Sequence, residues 1–115
     1  MRILPLLPLA VLLCLAGQAA AKDCVLSASQ TAAVAKLPHP ITLNAQHQWV
    51  QNGEVLNDDR NFEMCNARQM YSLMLAREAK GKLLDIKEIN PFDFTYLTDA
   101  EGNRLKAHLQ KHPKL

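Results

Sequence analysis

The chain has 115 residues, 49% of them apolar and 21% charged, with a formal net charge of +2. That length suits one domain with a modest core. The near-even balance of 13 basic and 11 acidic residues, with no block of like charge, argues against a dedicated nucleic-acid or anionic-membrane binder.

Residues 1–21 read as a secretory signal peptide. Arg2 supplies the positive start, Ile3 to Ala16 an apolar run, and Ala19-Ala20-Ala21 a small-residue cleavage site before Lys22. Pro5, Pro8 and the shortness of the run disfavour a membrane-spanning helix. Leu13, before Cys14, is not the small residue a lipid-anchored cysteine requires. The mature domain is then 22–115, periplasmic or secreted, with no stable membrane insertion after cleavage. Its brevity and its wealth of Leu and Ala are in the style of a bacterial product.

Cys14 leaves with the leader, so Cys24 and Cys65 remain. In an oxidising compartment the simplest state for such a pair is one disulfide. Closing the loop between them is worth about 4 kcal/mol on the chain-entropy model. No C-x-x-C is present, so a thioredoxin-type redox pair is not indicated.

Ser27 or Ser29 can cap a short Ala-rich helix running to Lys36 and stopped by Pro38. Leu37-Pro38-His39-Pro40 is an extended connector. Ile41 to Asn44 alternates as a strand does, and Asn52-Gly53 is a turn signal between strands 47–51 and 54–57. Asn57 to Asn61 is a polar loop.

The dominant periodic segment follows, a helix over about 62–80. Met64, Ala67, Met70, Tyr71, Met74 and Leu75 fall in one stripe, with Arg68, Gln69, Ser72 and Lys80 opposite. Asn61 or Asn66 can open it, and Gly81 is placed to cap its end. Cys65 lies off the stripe, so a disulfide there clamps a segment onto the helix entrance or flank.

Beyond Gly81 the period becomes two. Leu84 and Ile86 alternate with Asp85 and Lys87. Phe92, Phe94 and Tyr96 alternate with Asp93 and Thr95, and Leu105, Ala107 and Leu109 with Arg104, Lys106 and His108. The period predicts a post-helix strand and a hairpin of strands 92–97 and 104–109, with a terminal helix from Arg104 as the rival. His112 to Leu115 reads as a free tail. The fold class is therefore α+β: one helix on a small antiparallel sheet, with the helix stripe, Leu84, Ile86, Phe92, Phe94 and Tyr96 in the core.

Cys65, Met70-Tyr71-Ser72-Leu73-Met74-Leu75-Ala76, then Ala79-Lys80-Gly81-Lys82 and an expected strand form an ordered set. Over this helix region the chain resembles small exported bacterial proteins related to the B subunits of pentameric, subtilase-cytotoxin-type toxins. The resemblance implies an OB-type barrel, partial or complete, with one helix laid across it. The toxin subunits of that family bind glycans.

Catalytic motifs are missing. There is no G-x-S-x-G, phosphate loop, H-E-x-x-H or dinucleotide fingerprint, and the expected disulfide leaves no free thiol nucleophile. The reading is a non-enzymatic exported binding domain with no cofactor, recognising a protein or glycan through its surface. Trp49, Asn52, Asp58 and Asp59 are the candidate contacts, with Trp49 alternatively a core residue. A second reading is a periplasmic copper- or zinc-handling protein using His39, His47, His108 or His112, of which His108 and His112 are four apart. Against it, His108 and His112 read as exposed tail residues and the other two as loop positions. A third is an inhibitor or immunity-type protein for an exported enzyme. Met64, Met70 and Met74 read as core and not as copper ligands. Glu78 is either a partly buried, shifted acid or a helix-end carboxylate that pairs with a lysine or reaches solvent.

Overall fold

The computed structural model describes residues 23–90 and 94–113. The leader reading falls outside them, as do Phe92 of the expected core and the last two tail residues. Among the described residues the chain is α+β, with three α-helices and a three-stranded antiparallel sheet. None of these helices is long and apolar enough to cross a membrane.

Helix α1, Ala28–Val34, begins where expected. Ser27 caps it, with Gln30 reaching back in a capping box. Strands β1 (Ile41–Leu43), β2 (Trp49–Gln51) and β3 (Glu54–Val55) follow in sheet order β1-β2-β3. The β2–β3 turn is Asn52-Gly53, at φ 54° and 80°, the left-handed pair that a two-residue hairpin turn needs. In the β1–β2 connection, Asn44 Oδ1 accepts from the backbone N–H of Gln46 and of Gln48, both at 2.9 Å. That turn holds His47 at φ 60°.

Helix α2, Asp58–Ala79, is the spine. It starts a turn before the expected opening. Asn57 is the cap, its Oδ1 accepting from Arg60 N–H at 2.8 Å, and Asp58 and Asp59 place negative charge on the first turn. The predicted end holds. Gly81 at φ 70° donates to Glu78 O, and Lys82 N–H reaches back to Arg77 O, both at 2.9 Å.

The C-terminal third departs from the period-two expectation. Residues 104–109 lie within helix α3, Asp99–Gln110, and Phe94–Tyr96 forms a 3-10 turn. Thr98 and Glu101 close a capping box that starts α3. Leu105 and Leu109 then share a helical face, and Gly102 lets the Phe94 ring approach so closely that a Cβ there would sit 3.3 Å from it. The expected strand after Gly81 is absent too. Leu84 is buried, but its backbone groups are taken by side chains of the α3 end, and Ile86–Glu88 turns as a 3-10 helix. The sheet stays open, so no barrel closes among the described residues.

Two apolar clusters share α2. The first joins Cys24, Val34, Leu37, Ile41, Trp49, Leu56, Met64, Ala67 and Tyr96. The second joins Met70, Met74, Leu84, Leu97 and Leu105. The methionines of the stripe are therefore core residues, whereas Ile86 is 49% exposed. The predicted disulfide joins Cys24 to Cys65, with 5.4 Å between Cα atoms. Cys65 packs against the first cluster, so the bond borders the core. Such a bond belongs to an oxidising, exported setting.

Candidate functional site

An open cleft of about 670 Å³ lies where residues 23–25, the β1–β2 turn and the start of α2 meet. Asp23, Val25, His47, Trp49, Val55 and Asp58 are among its lining residues. Its walls are fixed. Trp49 donates its indole Nε1–H to Cys24 O at 2.6 Å, and the disulfide ties Cys24 to α2. Its rim carries Val25 and Val55, which are 75% and 52% exposed.

Of the candidate contacts, the cleft brings together Trp49 and Asp58. Trp49 is only 4% exposed, so it is a core residue forming the cleft wall, and the reading of it as a free surface contact is corrected. Its indole N–H is taken by Cys24 O, so it is not offered to a ligand. Asn52 is at the hairpin tip and Asp59 on the first turn of α2, neither of them lining the cleft. His47 enters the site through the left-handed turn that Asn44 organises, a placement the sequence signalled only as a loop histidine. Val25 and Val55 are invisible in the sequence as site residues, because isolated valines carry no motif.

A second, smaller cleft of about 440 Å³ lies between the end of α2 and α3, lined by Glu78, Lys82, Arg104, His108 and Lys111 among others. The reading of His108 as an exposed tail residue is overturned. Its side chain is fully buried, with Nε2 accepting the Leu84 backbone N–H at 3.1 Å and Nδ1 2.8 Å from Glu78 Oε2. A backbone N–H can only donate. His108 therefore carries its proton on Nδ1 and gives it to Glu78. One turn on, His112 Nε2 lies 2.9 Å from Leu84 O and donates to it. The two histidines thus hold both backbone polar groups of Leu84.

Glu78 is half-buried and takes a second bond from Arg104 at 2.5 Å, so its partners are a histidine and an arginine rather than a lysine. The hydrogen bond from His108, then that from Arg104, hold its pKa below the ordinary carboxylate value. The arrangement has the carboxylate–imidazole half of a catalytic triad. The imidazole nitrogen that would serve as a base is occupied by an amide, so the pair can position a chain segment but not activate a nucleophile.

His39 and His47 are exposed and lie on other elements. Among the described residues no three His, Cys, Asp or Glu side chains stand together as an ion site. No protein-family model, curated protein or solved structure matches the chain.

Proposed function

We propose that this is a non-enzymatic exported domain, periplasmic or secreted, that binds a protein or glycan at the cleft beside Trp49. The observation that carries the reading is an apolar rim on rigid walls. Val25 and Val55 stand in solvent at the mouth of a cleft whose wall is fixed by the disulfide and by the Trp49–Cys24 bond. Exposed apolar groups beside an ordered concavity offer burial at small ordering cost, which is what recognition uses. Gln46, Gln48 and His47 add polar donors and acceptors around the same mouth. A protein partner at this cleft would include the inhibitor or immunity role as a special case. Glycan binding is the form of recognition that the toxin-subunit resemblance brings with it.

The test is comparative. The oxidised wild-type protein is screened on a glycan array and against periplasmic extract, and each hit is rechecked with Val25→Asp/Val55→Asp. Gln110→Ala, exposed on α3, is the control. The wild type and the control should hold the ligand, with the double variant at least about tenfold weaker, the scale of losing buried apolar contact at two positions. A ligand held equally by the double variant places recognition elsewhere. Tight stoichiometric copper or zinc binding by the wild type would favour the metal-handling reading instead.

A further inference from the structure

We propose that His108 is a proton-operated latch, which holds the segment after α2 onto α3 while neutral and releases it when the imidazole takes up a second proton. The inference concerns the α2–α3 end of the molecule and does not depend on the cleft beside Trp49.

Three features of the geometry carry it. The His108 side chain has no solvent exposure, so its bonds are not exchanged with water. Both of its nitrogens are committed, and in one sense only: Nδ1–H to Glu78, and the Nε2 lone pair to Leu84 N–H. A second proton must go on Nε2, where it would meet the Leu84 N–H head-on, donor against donor. The acceptor bond then breaks, and a buried backbone N–H is left without a partner unless the segment moves.

What it would release is also defined. Leu84 is 1% exposed and belongs to the second apolar cluster. Its carbonyl is held by His112, whose Nε2 donates in either charge state, so protonating His112 does not break that bond. The switch therefore resides in His108 alone. The charged and titratable groups around it are Glu78 from α2, Lys82 and Asp85 on the connecting segment, and Arg104, Lys111 and His112 from α3 and its end. Glu78 remains the partner of Nδ1–H in both states. Release therefore frees the Leu84 amide, with the Leu84 carbonyl still tethered by His112 and His108 still anchored to α2.

Nitrogen and proton chemical shifts of the histidine rings report the tautomer directly, and hydrogen exchange reports the Leu84 amide. Both are followed over pH in the intact wild-type protein. At neutral pH His108 should be the Nδ1–H tautomer with a protected Leu84 amide. As His108 titrates, Leu84 protection should fall about tenfold or more, the scale of one buried backbone bond. Amides in the first half of α2 should stay protected. His112→Gln should keep this transition. His108→Gln, which offers an oxygen to the amide but cannot take up a proton, should lose it. The latch is overturned by an Nε2–H tautomer at neutral pH, by His108 staying neutral until the whole protein unfolds, or by Leu84 protection unchanged while His108 titrates. It is equally overturned by a transition that disappears in His112→Gln or persists in His108→Gln. The wild-type tautomer and exchange data decide the matter even where His108→Gln fails to fold.

Discussion

Arg68 shows how one residue can be read to the wrong side. On the periodicity of α2 it falls opposite the apolar stripe, yet it is 3% exposed. It forks onto Glu101 with two bonds of 2.7 Å and also donates to Tyr96 O. The stripe argument assumes a helix with one buried face. Here α3 covers the flank that would otherwise face water, and a guanidinium can be buried there because a carboxylate meets it. Burial alone would disfavour an ionised Glu101, but the Arg68 bonds and the Thr98 N–H outweigh it and hold the pKa below the ordinary value. The sign for stability follows. Glu78 and Glu101 both bind protons less readily in the folded chain than in the unfolded one. Their contribution is complete above about pH 4.3 and is lost as pH falls through their lower folded values. Glu101→Gln should cost about 2 kcal/mol near neutrality by leaving Arg68 without its counter-charge, and it should flatten the acid loss. Urea midpoints of both proteins across the acid range check this. Parallel curves with equal acid slopes would assign the loss to other carboxylates.

At the scale of elements, legibility in the sequence depended on whether one local signal stood alone. Asn52-Gly53 and Gly81 each had no competitor within a turn, and each is where it was expected, while of the two serines that could cap α1 it is Ser27 that does so. The opening of α2 was expected at Asn61 or Asn66 and lies earlier, because the polar run before them, with Asn57, Asp58 and Asp59, is equally able to cap. Asn57 is the one whose side chain meets a free helical N–H. The C-terminal element failed for a different reason. Leu105 and Leu109 fit a period of two as well as of four, and alternation with Phe92, Phe94 and Tyr96 tipped the reading to a hairpin. The signal that could have decided it was Thr98-Asp99-Ala100-Glu101, a capping box, which specifies a helix start and has no meaning in a strand. His108 was read as an exposed tail residue as a consequence, since its burial against Leu84 and Glu78 follows from α3 being a helix. Of the candidate site, Trp49 and Asp58 were legible and the valine rim was not, because nothing local marks a side chain that the fold leaves uncovered. Cap specificity is measurable. Asn57→Ala should cost about 1 kcal/mol in a urea titration. Asn61→Ala, which removes a buried oxygen with no partner, should not carry that cost. An equal loss at both positions would mean that the cap is shared.

Over the whole molecule, one helix serves two cores with different means of support. The first is bounded by the disulfide, and the second by α3 with its Arg68–Glu101 and His108–Leu84 contacts. What couples them, beyond α2 itself, is the Tyr96 region. Tyr96 belongs to the first cluster and its neighbour Leu97 to the second. The Tyr96 hydroxyl donates to Glu63 at 3.2 Å and accepts from Arg60, which also reaches Gln51 on the sheet. Removing the disulfide should therefore not weigh on both halves alike. Its chain-entropy contribution, about 4 kcal/mol at most, constrains the segment from Cys24 to Cys65, which holds α1 and the sheet. The second core lies outside that loop. Trp49, the sole tryptophan, sits in the first core and reports on it alone, whereas the far-ultraviolet circular dichroism draws heavily on α2 and α3. In Cys24→Ser/Cys65→Ser the fluorescence transition in urea should precede the helical one, while in the oxidised wild type the two should coincide. If they coincide in the variant as well, the Tyr96 junction is strong enough to make the two cores one cooperative unit. The disulfide would then stabilise the whole domain and not only the half that carries the Trp49 cleft.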